Sequence, residues 1–535
     1  MTATRQLQIV LVFAFIIRLL LLYCFPLHMT DHMLINSAAQ NLIEGHGMGF
    51  IRSSPEDLSS FYFEGLRLWP PLVTATTALF LDLTGHHPST DLLMMTLVLI
   101  GFIWVLYLLC KEIGMQTNYI VYIFLVFALN PELIKRPGFS DLTAAFFCIG
   151  AILFLVKQLK KNNLSRNLTL LLGSFLFFLP SAFRYQYYPV TLFFPLVLLL
   201  SSIYLKDKTL LKRSAISLLL VLLFIILQEY FLFVYTSQPI NQAVAMDKTG
   251  LFLFNLQNSY PFFFKTFFNI SYVENTWKHI ILPFRYFYFA VAAFLLIFLL
   301  FLITRFLVFN ITRQREIRNN EVAIRQTLSV LSLVPFLLLP ISVLIGLSLT
   351  HNSRTGQPGG WTYVNEGRYF ILPSILLLLL TFWFIQNKWA GLSGILKKTL
   401  FTLFVITIVY NLALTLKFCY NAITNNIPDK ELSNRLDRAA AYNYVRATSN
   451  DEPPTVITYT EPYFTFFPYI KNVAITKKIE LLRETRLSTK KKVRLLIICQ
   501  KDATEAEFRF IQDHKAVPVL HRPNFTIYST TIDSE

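Results

Sequence analysis

Thr30-Asp31-His32-Met33-Leu34-Ile35-Asn36-Ser37-Ala38-Ala39-Gln40-Asn41-Leu42-Ile43-Glu44-Gly45-His46-Gly47 follows directly after the first long apolar run of the chain. An Asp just past the end of a membrane span lies where headgroups meet water. A carboxylate is costly in hydrocarbon and stable at that boundary, within reach of a lipid-borne substrate. The residues after Asp31 read as a short amphipathic helix with Leu34, Ala38, Leu42 and Ile43 on one face, stopped by Gly45 and Gly47. The plainer reading of Asp31 is an interfacial carboxylate that ends the span.

Outward from this stretch, composition sets the class. Of 535 residues, 54% are hydrophobic and only 15% charged, with a mean hydropathy of +0.52. A soluble chain of this length carries more charge, so a polytopic α-helical membrane protein is expected. The net charge of +17 does not mark a nucleic-acid protein, because many of the cations fall in short loops between apolar runs. Five scattered cysteines, Cys24, Cys110, Cys148, Cys419 and Cys499, show neither metal nor redox spacing and read as small packing residues.

Apolar runs predict about 11 transmembrane helices, at 7–27, 89–110, 118–131, 141–157, 168–183, 186–204, 214–235, 284–304, 327–349, 368–386 and 399–417. The first, interrupted by Arg18, lacks a cleavage site and reads as an uncleaved helix. The loops with Lys157, Lys160, Lys161 and Arg166, with Lys206, Lys208, Lys212 and Arg213, with Arg305 to Arg325, and with Lys388, Lys397 and Lys398 fall on one side with the N-terminus. Short basic loops are the cytoplasmic ones. A multi-pass protein of the cell inner (plasma) membrane is expected, its N-terminus cytoplasmic. Loops 28–88, 236–283 and 350–367 then lie outside. Residues 1–420 form the transmembrane domain. Residues 421–535, with strand-like runs at 455–459, 493–499, 517–520 and 525–528 and helical patterns between, read as a small extracytoplasmic α/β domain. No Gly-rich phosphate loop opens any of its helices. Asn269 and Asn524 fit the glycosylation acceptor pattern, which is common by chance.

Charges gather at the outer-face hinges. The segment Asn130 to Asp141 ends one short helix and starts another, and includes Arg136. Asp141 stands where the helix dipole favours an anion, which makes simple capping the competing role. Arg184-Tyr185, Arg285-Tyr286 and Arg368-Tyr369 place a cation beside an aromatic at the outer ends of spans. They suit a lipid phosphate, or equally a snorkelling Arg in an aromatic belt.

Asp31 with Asn41-Leu42-Ile43-Glu44-Gly45-His46-Gly47, then Trp69-Pro70-Pro71-Leu72, Asn130-Pro131 to Asp141, Arg184-Tyr185 and Arg368-Tyr369-Phe370-Ile371-Leu372-Pro373, resembles the membrane glycosyltransferases of the GT-C class. The closest group is family 39-like, with the protein O-mannosyltransferases and the lipid A aminoarabinose transferase. The resemblance runs in order over about residues 1–385. It implies a sugar donor carried on a polyprenyl phosphate, a lipid, glycan or protein acceptor, membrane lipids as surroundings and no nucleic acid. It makes Asp31 and Asp141 the catalytic candidates. Arg368, Tyr369, Arg184, Tyr185, Arg136, Glu44 and His46 are the substrate-binding ones. The second acidic residue of the family's Asp-Glu pair is absent, since His32 stands there. No ligand cluster appears, which leaves a divalent metal as an open option. Two other readings remain: a transporter or flippase, for which inverted repeats are lacking, and a catalytically silent polyprenyl-phosphate-binding protein.

Overall fold

The computed structural model describes chiefly residues 3–24, 30–129, 139–236, 304–313, 321–334, 371–388, 393–423 and, in pieces, 440–533, with short gaps at 55–56, 66–69 and 85–89. The chain divides into two compact units. One comprises Met1–Pro26, Leu92–Glu229 and Val244–Cys419, the other Leu27–Asp91, Tyr230–Ala243 and Tyr420–Glu535.

The first unit is helical. Its elements are α1 (Ala3–Cys24), α4 (Thr90–Glu112), α5 (Thr117–Leu129), α6 (Phe139–Lys160), α7 (Asn167–Phe183), a 3-10 turn (Tyr185–Tyr187), α8 (Tyr188–Thr191), α9 (Phe193–Leu205) and α10 (Lys208–Thr236), with later helices Glu321–Leu331, Ile371–Lys388 and Gly394–Ile423. Among the described residues, Leu92–Glu112, Ser140–Lys160, Tyr185–Leu205 and Lys208–Tyr235 are long and apolar enough to cross a membrane. Nine of the expected spans fall on helices of this set. The expected spans 284–304 and 327–349 lie largely outside the described residues.

The burial pattern along α4 fits a lipid-facing helix. Leu93, Leu97, Ile100 and Trp104 form an exposed stripe at helical spacing, while Met95, Leu99, Phe102, Leu106 and Leu109 are buried. In α10, Ser217, Val221, Gln228 and Leu232 form the buried stripe, and the opposite face is apolar and exposed. Arg18 of α1 is fully buried, its guanidinium 4.7 Å from the Phe127 ring centroid of α5. A charge within an expected span is thus covered by protein.

The basic turns meet at one end of the helices. Lys160 pairs with Glu112 at 3.3 Å, Gln386 brackets the Gly114–Gln116 turn, and Arg213 reaches Asn167. A Schellman motif ends α4: Met115 N–H donates to Cys110 O and Gly114 N–H to Lys111 O, with Gly114 at φ 77°.

The second unit is built on a seven-stranded sheet of order β2-β1-β4-β3-β5-β7-β6. The strands are β1 (Gly49–Ser53), β2 (Phe61–Gly65), β3 (Thr455–Tyr459), β4 (Val473–Ile475), β5 (Lys492–Gln500), β6 (Val517–Arg522) and β7 (Phe525–Asp533). Strands β1, β4, β3 and β5 run parallel, and β2, β7 and β6 are antiparallel additions. Strand β5 is covered on both faces, as its unbroken apolar run requires. Leu496 and Ile498 pack with Ala441 and Val445, and Leu495 and Ile497 with Val456 and Ile511 of the helix Glu505–Asp513.

The sequence boundary at 420/421 left 28–88 as an outer loop of the transmembrane domain. In the structure its hairpin β1–β2 belongs to the same sheet as β3 to β7. Leu58, between β1 and β2, is buried in that sheet's core beside Val456, Val493 and Leu495. The physical reason is that a two-stranded hairpin is marginal alone and gains a hydrophobic face by joining a larger sheet.

Helix α2 (Thr30–Ile43) lies against α3 (Pro71–Leu83) through Ala39, Ala78 and Leu81, flanked by Leu42 and Ile43. The buried face of α2 is Ile35, Ala38 and Ala39 with half-buried Leu42. Of the expected face, Ala38 is buried and Leu42 and Ile43 are half-buried, while the side chain of Leu34 lies outside the described residues.

Candidate functional site

The expected site residues divide between the two units. Asp31 falls in the first turn of α2, in the second unit, and its side chain lies outside the described residues. Glu44 and His46 follow the end of the same helix and are exposed. Their turn is a Schellman motif, in which His46 N–H donates to Asn41 O and Gly45 N–H to Leu42 O, with Gly45 at φ 79°. Asn41 donates through Nδ2 to Gly49 O, tying the end of α2 to β1. Gly47, at φ 95°, brings the chain against the Tyr235 carbonyl, which accepts from Met48 N–H at 3.3 Å. Gln40 Nε2 donates to Glu44 Oε1 at 3.1 Å. The glycines read from the sequence as helix stops therefore fix the geometry of everything between α2 and β1.

Arg136, Arg368 and Tyr369 lie outside the described residues, as do Arg285 and Tyr286, Asn269 and Asn524 of the two sequons, and the loops 241–300 and 335–370.

In the first unit, the structure pairs Asp141 with Arg184, and Tyr185 follows Arg184 in the 3-10 turn. Asp141 sits in the first turn of α6. Arg184 follows the last residue of α7 in an extended conformation and starts the 3-10 turn. Arg184 Nε lies 3.0 Å from Asp141 Oδ1, with the Asp141 side chain fully buried and that of Arg184 only 12% exposed. The ion pair joins the first turn of α6 to the end of α7. Ser140, Thr143 and Ser181, all buried, extend the polar surroundings. Phe147 stacks on Phe183 at 5.0 Å beside the pair and joins α6 to α7. This end of the helices is opposite to the basic turns, because α6 runs from Asp141 to Lys160.

Sequence reasoning missed a second group at the same joint. Tyr185 and Tyr188 are stacked, centroids 5.7 Å apart and planes 8° apart. The Tyr188 hydroxyl accepts from Gln228 Nε2 at 2.8 Å and donates to Glu229 Oε1 at 2.9 Å. Buried Tyr187 lies within interaction range of Asp141, Arg184 and Cys148. The available signal was Gln228-Glu229, a polar pair inside the otherwise apolar run 214–235.

Cys110, Cys148 and Cys499 are buried, as packing residues are. Among the described residues, no group of three His, Cys, Asp or Glu side chains is arranged to hold a metal ion.

The chain matches no family model and no curated protein. Among solved structures it is similar to ArnT from Cupriavidus metallidurans bound to undecaprenyl phosphate, at 11% identity over 99% of this chain and 98% of that chain, with a TM-score of 0.48. Likeness at that level, spread over the whole length, carries no argument about this chain's family or activity.

Proposed function

We propose that this protein is an integral-membrane glycosyltransferase that moves a sugar from a polyprenyl-phosphate-linked donor to an acceptor hydroxyl on the outer face of the membrane. The observation that carries the reading is the ion pair of Asp141 with Arg184, followed in the chain by Tyr185, at the helix ends opposite the basic turns. These are three positions of the ordered motif set on which the family resemblance rests. Buried ionisable groups near the end of an apolar bundle mark functional sites in membrane proteins.

In this reading Asp31 is the general base. It takes the proton of the acceptor hydroxyl as that oxygen attacks the anomeric carbon. The bond from the anomeric carbon to the phosphate oxygen breaks, and the polyprenyl phosphate leaves with the electron pair. Direct displacement inverts the anomeric centre. Arg368 and Arg136 meet the charge that develops on the phosphate, for which a guanidinium's fixed fork of donors is suited. Asp141 holds Arg184 in place at the same face. Glu44 and His46, on the turn after α2, contact the substrate in this reading. The C-terminal sheet then stands outside the membrane.

The test is sugar release by the purified protein in lipid from a panel of labelled polyprenyl-phosphate sugars, comparing wild type with Asp31→Asn. Turnover that collapses in the variant while donor still binds supports the base. Equal turnover in both sinks the role of Asp31. Tight lipid binding with no turnover from any donor shifts the protein to a silent polyprenyl-phosphate binder.

A further inference from the structure

We propose that Glu229, together with Tyr188, Gln228 and the ring of Tyr185, forms a carbohydrate subsite that holds hydroxyl groups of the donor's sugar. This rests on the glycosyltransferase reading above and adds to it the place where the sugar is recognised.

Glu229 lies within Lys208–Tyr235, an apolar span of 28 residues. It is seven residues before the end of α10 at Thr236, about 10 Å along the axis at ~1.5 Å per residue. A carboxylate at that depth is costly unless something answers it. Among the described residues no cation pairs with it. Instead Gln228 Nε2 donates to the Tyr188 hydroxyl, which donates to Glu229 Oε1. This chain of donors fixes one carboxylate oxygen. Glu229 is half-buried, and its Oε2 has no hydrogen-bond partner among the described residues.

A neighbouring amide is also incompletely answered. Gln228 is only 5% exposed, and its Oε1 is buried with no hydrogen-bond partner among the described residues. A buried amide group without a partner is destabilising, so such groups persist where a ligand or water completes them. The joint thus offers a carboxylate oxygen and an amide oxygen. Beside them the rings of Tyr185 and Tyr188 stack, aromatic surface of the kind that meets the C–H face of a pyranose.

The mixture of groups selects the ligand class. A metal ion would find one carboxylate and one amide oxygen, fewer protein ligands than a calcium site supplies. A lipid tail would answer neither. Sugar hydroxyls donate to both oxygens and accept from water or protein in turn. Glu229 and Gln228 act here as binding groups, and no bond is made or broken at them.

The experiment measures dissociation constants on the full chain in nanodiscs. The probes are undecaprenyl phosphate and undecaprenyl phosphates bearing single hexoses or pentoses. Wild type is expected to bind at least one glycosylated lipid tenfold or more tighter than the plain lipid. Glu229→Gln, Gln228→Leu and Tyr188→Phe should lose most of that gain and keep the plain-lipid affinity. The removal of one hydroxyl in Tyr188→Phe serves as the variant that keeps the fold if Gln228→Leu fails to fold. A gain retained in Glu229→Gln and Tyr188→Phe overturns the subsite. So does equal binding of plain and glycosylated lipids by a wild type that still turns over donor, which leaves the glycosyltransferase reading standing. A wild type that binds no polyprenyl phosphate overturns both.

Discussion

The Asp141–Arg184 pair gives the sharpest test of how the helical unit is held together. At 3.0 Å, with one side chain fully buried and the other 12% exposed, the attraction is about 5–6 kcal/mol at an effective dielectric of ~20. Desolvation of both ions offsets most of it. The consequence is asymmetric. Arg184→Leu leaves a buried carboxylate at the start of α6 with its guanidinium removed, and Asp141→Leu leaves a buried guanidinium at the end of α7. Each is expected to cost about 3–5 kcal/mol, whereas replacing both by apolar residues of similar size should be close to neutral. The assay is a double-mutant cycle on denaturant or thermal unfolding in detergent, with monodisperse protein as the readout. The double variant should recover most of the stability lost by either single one, and should still fail to turn over donor, because the proposed site loses its charges. Stability losses that simply add would refute the pairing. A double variant with wild-type turnover would refute its place in the site.

Three glycines and one histidine give further tests. Gly47→Ala should cost about 1–3 kcal/mol, since the residue has φ 95° and an added Cβ would stand 2.7 Å from the Tyr235 carbonyl oxygen. Gly45→Ala, at φ 79° with open space around it, should cost only about 1–2 kcal/mol from backbone strain; equal losses in urea titrations of the two variants would contradict the close approach at Gly47. Gly173→Ala should cost about 1–3 kcal/mol, because the new methyl would fall inside the ring of Phe194, which is itself buried against Phe177; Phe194→Leu in the same chain should restore part of the loss in a thermal-shift measurement. Burial pushes His514 below its usual range, with Asp513 opposing the shift. Folding therefore favours the neutral ring. The stability is fully present above the unfolded value near ~6.5 and is lost as pH falls below it, when the unfolded chain takes up the proton first. His514→Gln should flatten that acid-side slope in unfolding measured across pH 7 to 5, and an unchanged slope would remove His514 as its source.

What was legible in the sequence was local. The apolar runs are long enough that their length alone makes them helices, and α4 to α10 fall within a few residues of the expected spans. The strand-like runs at 455–459 and 493–499 are β3 and β5, because a continuous β-branched and leucine-rich run can bury both faces only inside a sheet. The stop after α2 was readable because Gly45 supplies the positive φ that its Schellman turn needs.

What only the tertiary structure decided was partnership. Strand β1 pairs with β4 through Arg52 and Ile475, far apart along the chain. Neither strand carries a local pattern that names the other, so the hairpin that follows α2 could not be assigned to the C-terminal sheet beforehand. Asp141 and Arg184 were each visible as charges at helix ends, and their direct pairing was not. Gln228 and Glu229 were visible as polar residues in an apolar run, and the Tyr188 hydroxyl that links them was not. Periodicity and propensity report how a segment meets an apolar or aqueous environment. Which buried polar group answers which is settled only when the helices pack, because the hydrogen bond depends on a distance that the linear sequence does not contain.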